Sequence, residues 1–111
     1  TQNWAEQPAP FFTSEAMEWI ATLGIRHLLV DFPSVDRAED EGRLLNHRKF
    51  WNLPAGEKEA RSDSHLYRTI TEMILVPDAV LDGLYLVQIQ LPPIHADALP
   101  SSVFLFPLEK V

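Results

Sequence analysis

Glu72 stands between two isoleucines in "TITEMILV", residues 69–76. In an extended segment alternate side chains share a face, so Ile70, Glu72 and Ile74 point the same way. An ionised carboxylate among apolar neighbours needs a proton, a cation or hydrogen-bond donors to offset its lost hydration. His47 poses the reciprocal problem. "RLLNHRKFWN", 43–52, reads as a short helix in which Leu44, His47 and Trp51 fall at i, i+3 and i+7. Leu45 and Phe50 widen that apolar stripe. Two buried, oppositely biased groups can satisfy each other by a hydrogen bond, or both can ligate one metal ion. A structural pair is the commoner arrangement, and a catalytic zinc needs at least three protein ligands. His47 and Glu72 therefore fall short of a shell between them.

A second group lies in "DFPSVD", 31–36, where Asp31 and Asp36 bracket Pro-Ser at the end of an apolar run. Ligand sites in α/β proteins favour the carboxyl ends of strands. The competing reading is an Asx or Ser turn that ties down the loop and caps the next element. His95 and Asp97, two apart in "IHADALPSS", would point together on an extended segment and could bind a cation, although such pairs are more often loop polarity. His27 reads as a satisfied histidine inside or at the edge of a strand, and His65 lies in a polar stretch without supporting residues. Ser34, His47 and Asp36 make a nominal hydrolase set, but no nucleophile elbow places them, and no glycine-rich phosphate loop occurs.

The elements that must position these residues run helix, strand, helix, strand, strand, strand. Residues 13–23 predict a helix with Thr13 or Ser14 as cap, Glu15 at its positive end, Gly24 as its stop, and a stripe of Ala16, Met17, Ile20 and Leu23. "IRHLLVDF", 25–32, predicts a strand whose continuous "LLV" fits coverage on both faces. An acidic loop, 31–42, leads into the helix at 43–52, and 53–65 is a polar excursion. Strands follow at 69–75 and 84–93, the latter stopped by prolines, and at "VFLFPL". The expected architecture is α/β: the last three strands form a mixed or antiparallel sheet with the helices packed on one face.

With 111 residues, 46% hydrophobic and 23% charged, the chain suits a single domain with a modest core. A net charge of -7 leaves no basic patch for nucleic acid. No cysteine is present, so a metal would rest on His, Asp and Glu. The apolar runs are strand-sized, well below the roughly 20 residues of a membrane helix. No signal peptide is read, and a cytoplasmic location is the default expectation. The start, "TQNWAEQPAPFF", carries Trp4, Phe11 and Phe12 among prolines and lacks methionine, which reads like an internal segment suited to burial against another segment or subunit.

Taken in order, "GIRHLLVDFPSVD", "HRKFW", "TITE", "DGLY" and "DALPS" resemble the C-terminal half of the cyclase-like metal-dependent hydrolases, the family that contains the bacterial kynurenine formamidases. The resemblance runs from about Asn3 to Pro107. It implies a domain of the swivelling β/β/α type, with residues 1–111 as one segment of it, and hydrolysis at a zinc or manganese centre. By that likeness His47 and Glu72 are metal ligands, and Asp31, Ser34 and Asp36 shape the site wall. The family's "H-x-G-T-H-x-D-x-P-x-H" stretch, with most of the ligands and the catalytic histidine, does not occur in these residues. The likeness thus implies a missing N-terminal segment as partner, catalytic residues within it, a small-molecule substrate, a homo-oligomer, and a chain inactive by itself. The alternative expectations are a non-catalytic interaction or scaffold module on the same fold, and a small-molecule binding domain without a transition metal.

Overall fold

The computed structural model describes residues 3–109. The backbone divides between Leu75 and Val76 into two compact units. The first is a small α/β unit of two helices and a two-stranded parallel sheet: α1 (Ser14–Thr22), β1 (His27–Leu29), α2 (Leu45–Trp51) and β2 (Thr69–Thr71). The second holds an antiparallel pair, β3 (Tyr85–Gln90) and β4 (Ser102–Pro107).

Thr13 caps α1 as expected, its hydroxyl accepting from the Ala16 N–H at 3.2 Å. The helix ends where Gly24 turns to φ +72°. Met17 and Ile20 are the buried part of its stripe, whereas Leu23 stays half-exposed. They pack with Val30, Val35 and Phe50 into one core, flanked by Phe12, Ile25, Leu28, Phe32, Trp51 and Ile70. Phe12 is therefore part of this unit's own core, its ring edge-on to Phe32 at 5.3 Å. Lys49 on α2 reaches Glu18 and Ser14 on α1 across the helix pair.

α2 begins two residues later than the periodicity suggests, because Leu44 adopts a left-handed conformation, φ 51°. A leucine there costs local strain, and the Leu44 N–H is held by Asp40 Oδ2 at 2.6 Å. Asn52 closes the helix in the same left-handed region, which asparagine tolerates better.

The expected single sheet of the last three strands does not form. β2 pairs with β1 instead, in parallel register His27↔Thr69, Leu28↔Ile70 and Leu29↔Thr71. Both strands are short: the chain after β1 bends at residues 31–33, and Met73, at φ 61°, turns the other chain. Beyond the ladder the two chains still exchange bonds: Val30 N–H to Thr71 O at 2.9 Å, and Met73 N–H to Phe32 O at 3.1 Å. These two bonds bracket Glu72 and fix it beside the loop that follows β1. β1 is not covered on both faces either, since His27 is exposed and Leu28 and Leu29 are half-buried.

Candidate functional site

The site grows from the loop 33–36 and the first turn of α2. A helix start leaves its first N–H groups without partners inside the helix. Leu44 precedes α2 with no side-chain cap of its own. Asp36, nine residues before the helix begins, does that work: Oδ1 accepts the Asn46 N–H at 2.7 Å, and Oδ2 lies 3.4 Å from the His47 N–H. The same Oδ2 meets His47 Nδ1 at 2.7 Å. Asp36 is 5% exposed, so its charge is held by donors and by the positive end of the helix instead of water.

The loop is tied from both sides. Ser34 Oγ accepts the Asp36 N–H at 3.1 Å, forming the serine turn, and the Asn46 amide donates to Phe12 O and Val35 O, both at 2.8 Å. Phe12 N–H also reaches Val35 O at 3.2 Å. The turn-and-cap reading of "DFPSVD" thus holds for its geometry.

Across the loop, Glu72 Oε1 accepts the Val35 N–H at 2.9 Å and lies 3.1 Å from His47 Nε2. The result is a line of three side chains, Asp36–His47–Glu72, with the imidazole between two carboxylates. Burial is the largest influence on both partners and opposes their charges. For His47 it is outweighed by hydrogen bonds and attraction from Glu72 and Asp36, so its pKa is raised. For Glu72 it is outweighed by His47, the Val35 N–H and the Ser34 hydroxyl, so its pKa is lowered.

The partner that alternation demanded for Glu72 is thus the His47 ring together with a backbone N–H. The structure brings together His47, Glu72, Asp36 and Ser34. Asp31 is exposed and takes no part in this line. His95 and Asp97 are exposed in their loop. His27 meets Thr69 Oγ across the sheet at 2.8 Å on an exposed edge, and His65 stacks edgewise on Tyr67. Asn46 and the Val35 N–H were not singled out from sequence. A buried asparagine beside His47, four residues before the buried Phe50, is the signal that could have marked the first, whereas no side-chain pattern marks the second.

The donor set can be compared with a cation's needs. Two ligand atoms about 2.1 Å from one tetrahedral ion stand about 3.4 Å apart. His47 Nε2 and Glu72 Oε1, at 3.1 Å, are close to that spacing. Asp36 sits on the far side of the ring, where a carboxylate orients a metal-binding histidine. Among the described residues no third His, Cys, Asp or Glu joins them to make a group of three. The residues fit one edge of a coordination shell. No helix in the described residues is long and apolar enough to cross a membrane. Compared with family models, curated proteins and solved structures, the chain matches none.

Proposed function

We propose that His47 and Glu72 are two ligands of a divalent cation, zinc or manganese, in a metal-dependent hydrolase of the cyclase and formamidase-like kind, built on a swivelling β/β/α-type fold. One observation carries the reading. Asp36 claims the Nδ1 side of the His47 ring, and Nε2 then faces a carboxylate oxygen at 3.1 Å. A neutral ring donating to Asp36 would point its lone pair at Glu72. A cation on Nε2, either a proton or a metal ion, relieves that opposition.

Such an ion activates water towards an amide, ester or lactone carbonyl. This chain's residues have narrower tasks. Asp36 keeps the proton on Nδ1 and fixes the ring plane, so that Nε2 is the coordinating atom. Glu72 is aimed by the Val35 N–H and by Ser34, and stays ionised. Ser34 and Asp36 form the wall beside it. The remaining ligands and the catalytic base come from an N-terminal segment of the same protein, and the substrate is a small molecule.

The raised pKa of His47 favours a second reading, in which the cation is simply a proton and the line Asp36–His47–Glu72 is a latch in a non-catalytic interaction or scaffold module. Metal content decides between them. Protein expressed from its whole reading frame should copurify with zinc or manganese, and His47→Ala and Glu72→Ala should each reduce bound metal and hydrolysis at least about tenfold. Metal content unchanged in both variants would leave only the latch.

A further inference from the structure

Asn46 contributes no atom to the line Asp36–His47–Glu72, yet both ends of that line are tied to it. Its backbone N–H donates to Asp36 Oδ1 at 2.7 Å, and its side-chain Nδ2 donates to Phe12 O and Val35 O, both at 2.8 Å. The side chain is buried and springs from the first turn of α2. A carboxamide suits this position because one nitrogen carries two protons, one for each carbonyl. An aspartate would turn an acceptor towards two acceptors, and a leucine would leave both carbonyls without that donor.

The bond to Val35 reaches furthest. Val35 lies between Asn46 and Glu72: its carbonyl accepts from Asn46, and its N–H donates to Glu72 Oε1 at 2.9 Å. The valine side chain is wholly buried in the core. That burial holds the residue in place but is non-directional, so hydrogen bonds decide where its peptide groups point. Phe12 N–H also reaches Val35 O, at 3.2 Å, but the carbonyl of the same phenylalanine is itself held by Asn46. Both ties on Val35 O therefore lead back to one amide.

Glu72 Oε1 is also the oxygen that lies 3.1 Å from His47 Nε2. The glutamate side chain is partly exposed, and a long side chain without a donor at the loop regains its rotamers and turns towards water. The Val35 N–H keeps that oxygen at the ring, and Val35 is aimed from the residue that precedes His47 in the chain. We propose that Asn46 is a positioning residue for the His47–Glu72 pair, fixing Glu72 Oε1 against the ring through Val35. The use of that pair as a cation site is the reading this rests on, whereas the placement of Glu72 is measurable with no metal present.

Amide hydrogen exchange on metal-free protein, expressed from its whole reading frame, tests this at Val35. Val30, whose N–H pairs with Thr71 O at 2.9 Å, serves as the internal reference. Asn46→Leu keeps the bulk and removes both donors, and should speed exchange at Val35 at least about tenfold more than at Val30. The Val35 amide proton should also move upfield, to where Glu72→Ala places it, as its bond to a carboxylate is lost. Ile20→Val, a core change on α1 away from the loop, should speed both amides alike, as a loss of global stability does. If Asn46→Leu does not fold, Asn46→Ser, smaller and with one donor, allows the same comparison. Zinc titrated into the same proteins by calorimetry should bind Asn46→Leu at least about tenfold more weakly than the wild type, with Ile20→Val unchanged. Equal acceleration at Val35 and Val30 in the Asn46 variants overturns the proposal, because Asn46 then supports the fold and nothing more. A wild type that takes up no zinc, with Val35 still selectively exposed in Asn46→Leu, overturns the metal reading and supports the positioning role.

Discussion

Asp36 holds His47 at two points, Oδ2 meeting the ring Nδ1 at 2.7 Å and lying 3.4 Å from the backbone N–H of the same residue. One carboxylate therefore sets both where α2 starts and how its functional side chain is turned. Any change at Asp36 affects the helix and the site together.

Asp36→Ala removes a cap, a charged hydrogen bond and the ring's support at once. The expected loss is about 2–4 kcal/mol of stability in urea denaturation. Asp36→Asn retains an acceptor for the Asn46 N–H and should lose less. A double-mutant cycle with His47→Ala should return a coupling of about 1–3 kcal/mol, and additivity would show that the contact carries no energy.

Metal-free protein should be most stable in mildly acidic solution. His47 has a raised folded pKa, so its contribution is complete below its unfolded value of about 6.5 and is lost as pH rises through the folded value. Glu72 has a lowered one, so its contribution is present above an unfolded value of about 4.3 and is lost as pH falls through the folded value. The two overlap between about pH 4.3 and 6.5. Urea midpoints across pH 3–9 should peak there, and His47→Ala should flatten the alkaline slope.

Under the metal reading, the cation and the His47 proton compete for Nε2. Zinc affinity measured by calorimetry should fall about tenfold per pH unit below the folded pKa of His47, with a proton released into the buffer on binding. A pH-independent affinity would place the ion elsewhere.

Arg68 is buried, with Nη1 donating to Ala21 O at 3.2 Å and Phe50 O at 3.0 Å and its guanidinium 5.1 Å from the Phe50 ring centre. Those carbonyls lie in the last turns of α1 and α2, where a cation complements both helix dipoles. Its Nε has no hydrogen-bond partner within the described residues. Arg68→Ala should cost about 2–4 kcal/mol, and Arg68→Lys should recover only part of it, because an ammonium lacks the planar fork. A loss below about 1 kcal/mol would mean that water replaces the guanidinium at little cost.

How much of this was legible varied with the range of the interaction. The start and stop of α1 were readable, because Thr13 and Gly24 act on their immediate neighbours. Glu72's need for a partner was readable from two isoleucines. The sheet was not. The propensity of 69–75 and 84–93 for extended structure says nothing about which strand pairs with which, and the left-handed turn at Met73 ends β2 where the pattern alone runs on to Leu75. The reach of Asp36 to the Asn46 N–H ten residues away was hidden for a similar reason. Leu44 offers no cap, and only the folded loop reveals that another residue supplies it.

The parallel pairing of β1 with β2 also has a consequence in time. His27 meets Thr69 across 42 residues, so β1 leaves the ribosome with no partner yet made. At ordinary synthesis rates the wait is about 2 to 8 seconds, during which the strand's hydrogen-bonding edge and Leu28, Leu29 and Val30 are open to chaperones or to neighbouring chains. The residue that ends the wait lies almost beside Glu72. Completion of this unit during translation and assembly of its histidine–glutamate line are therefore nearly the same event.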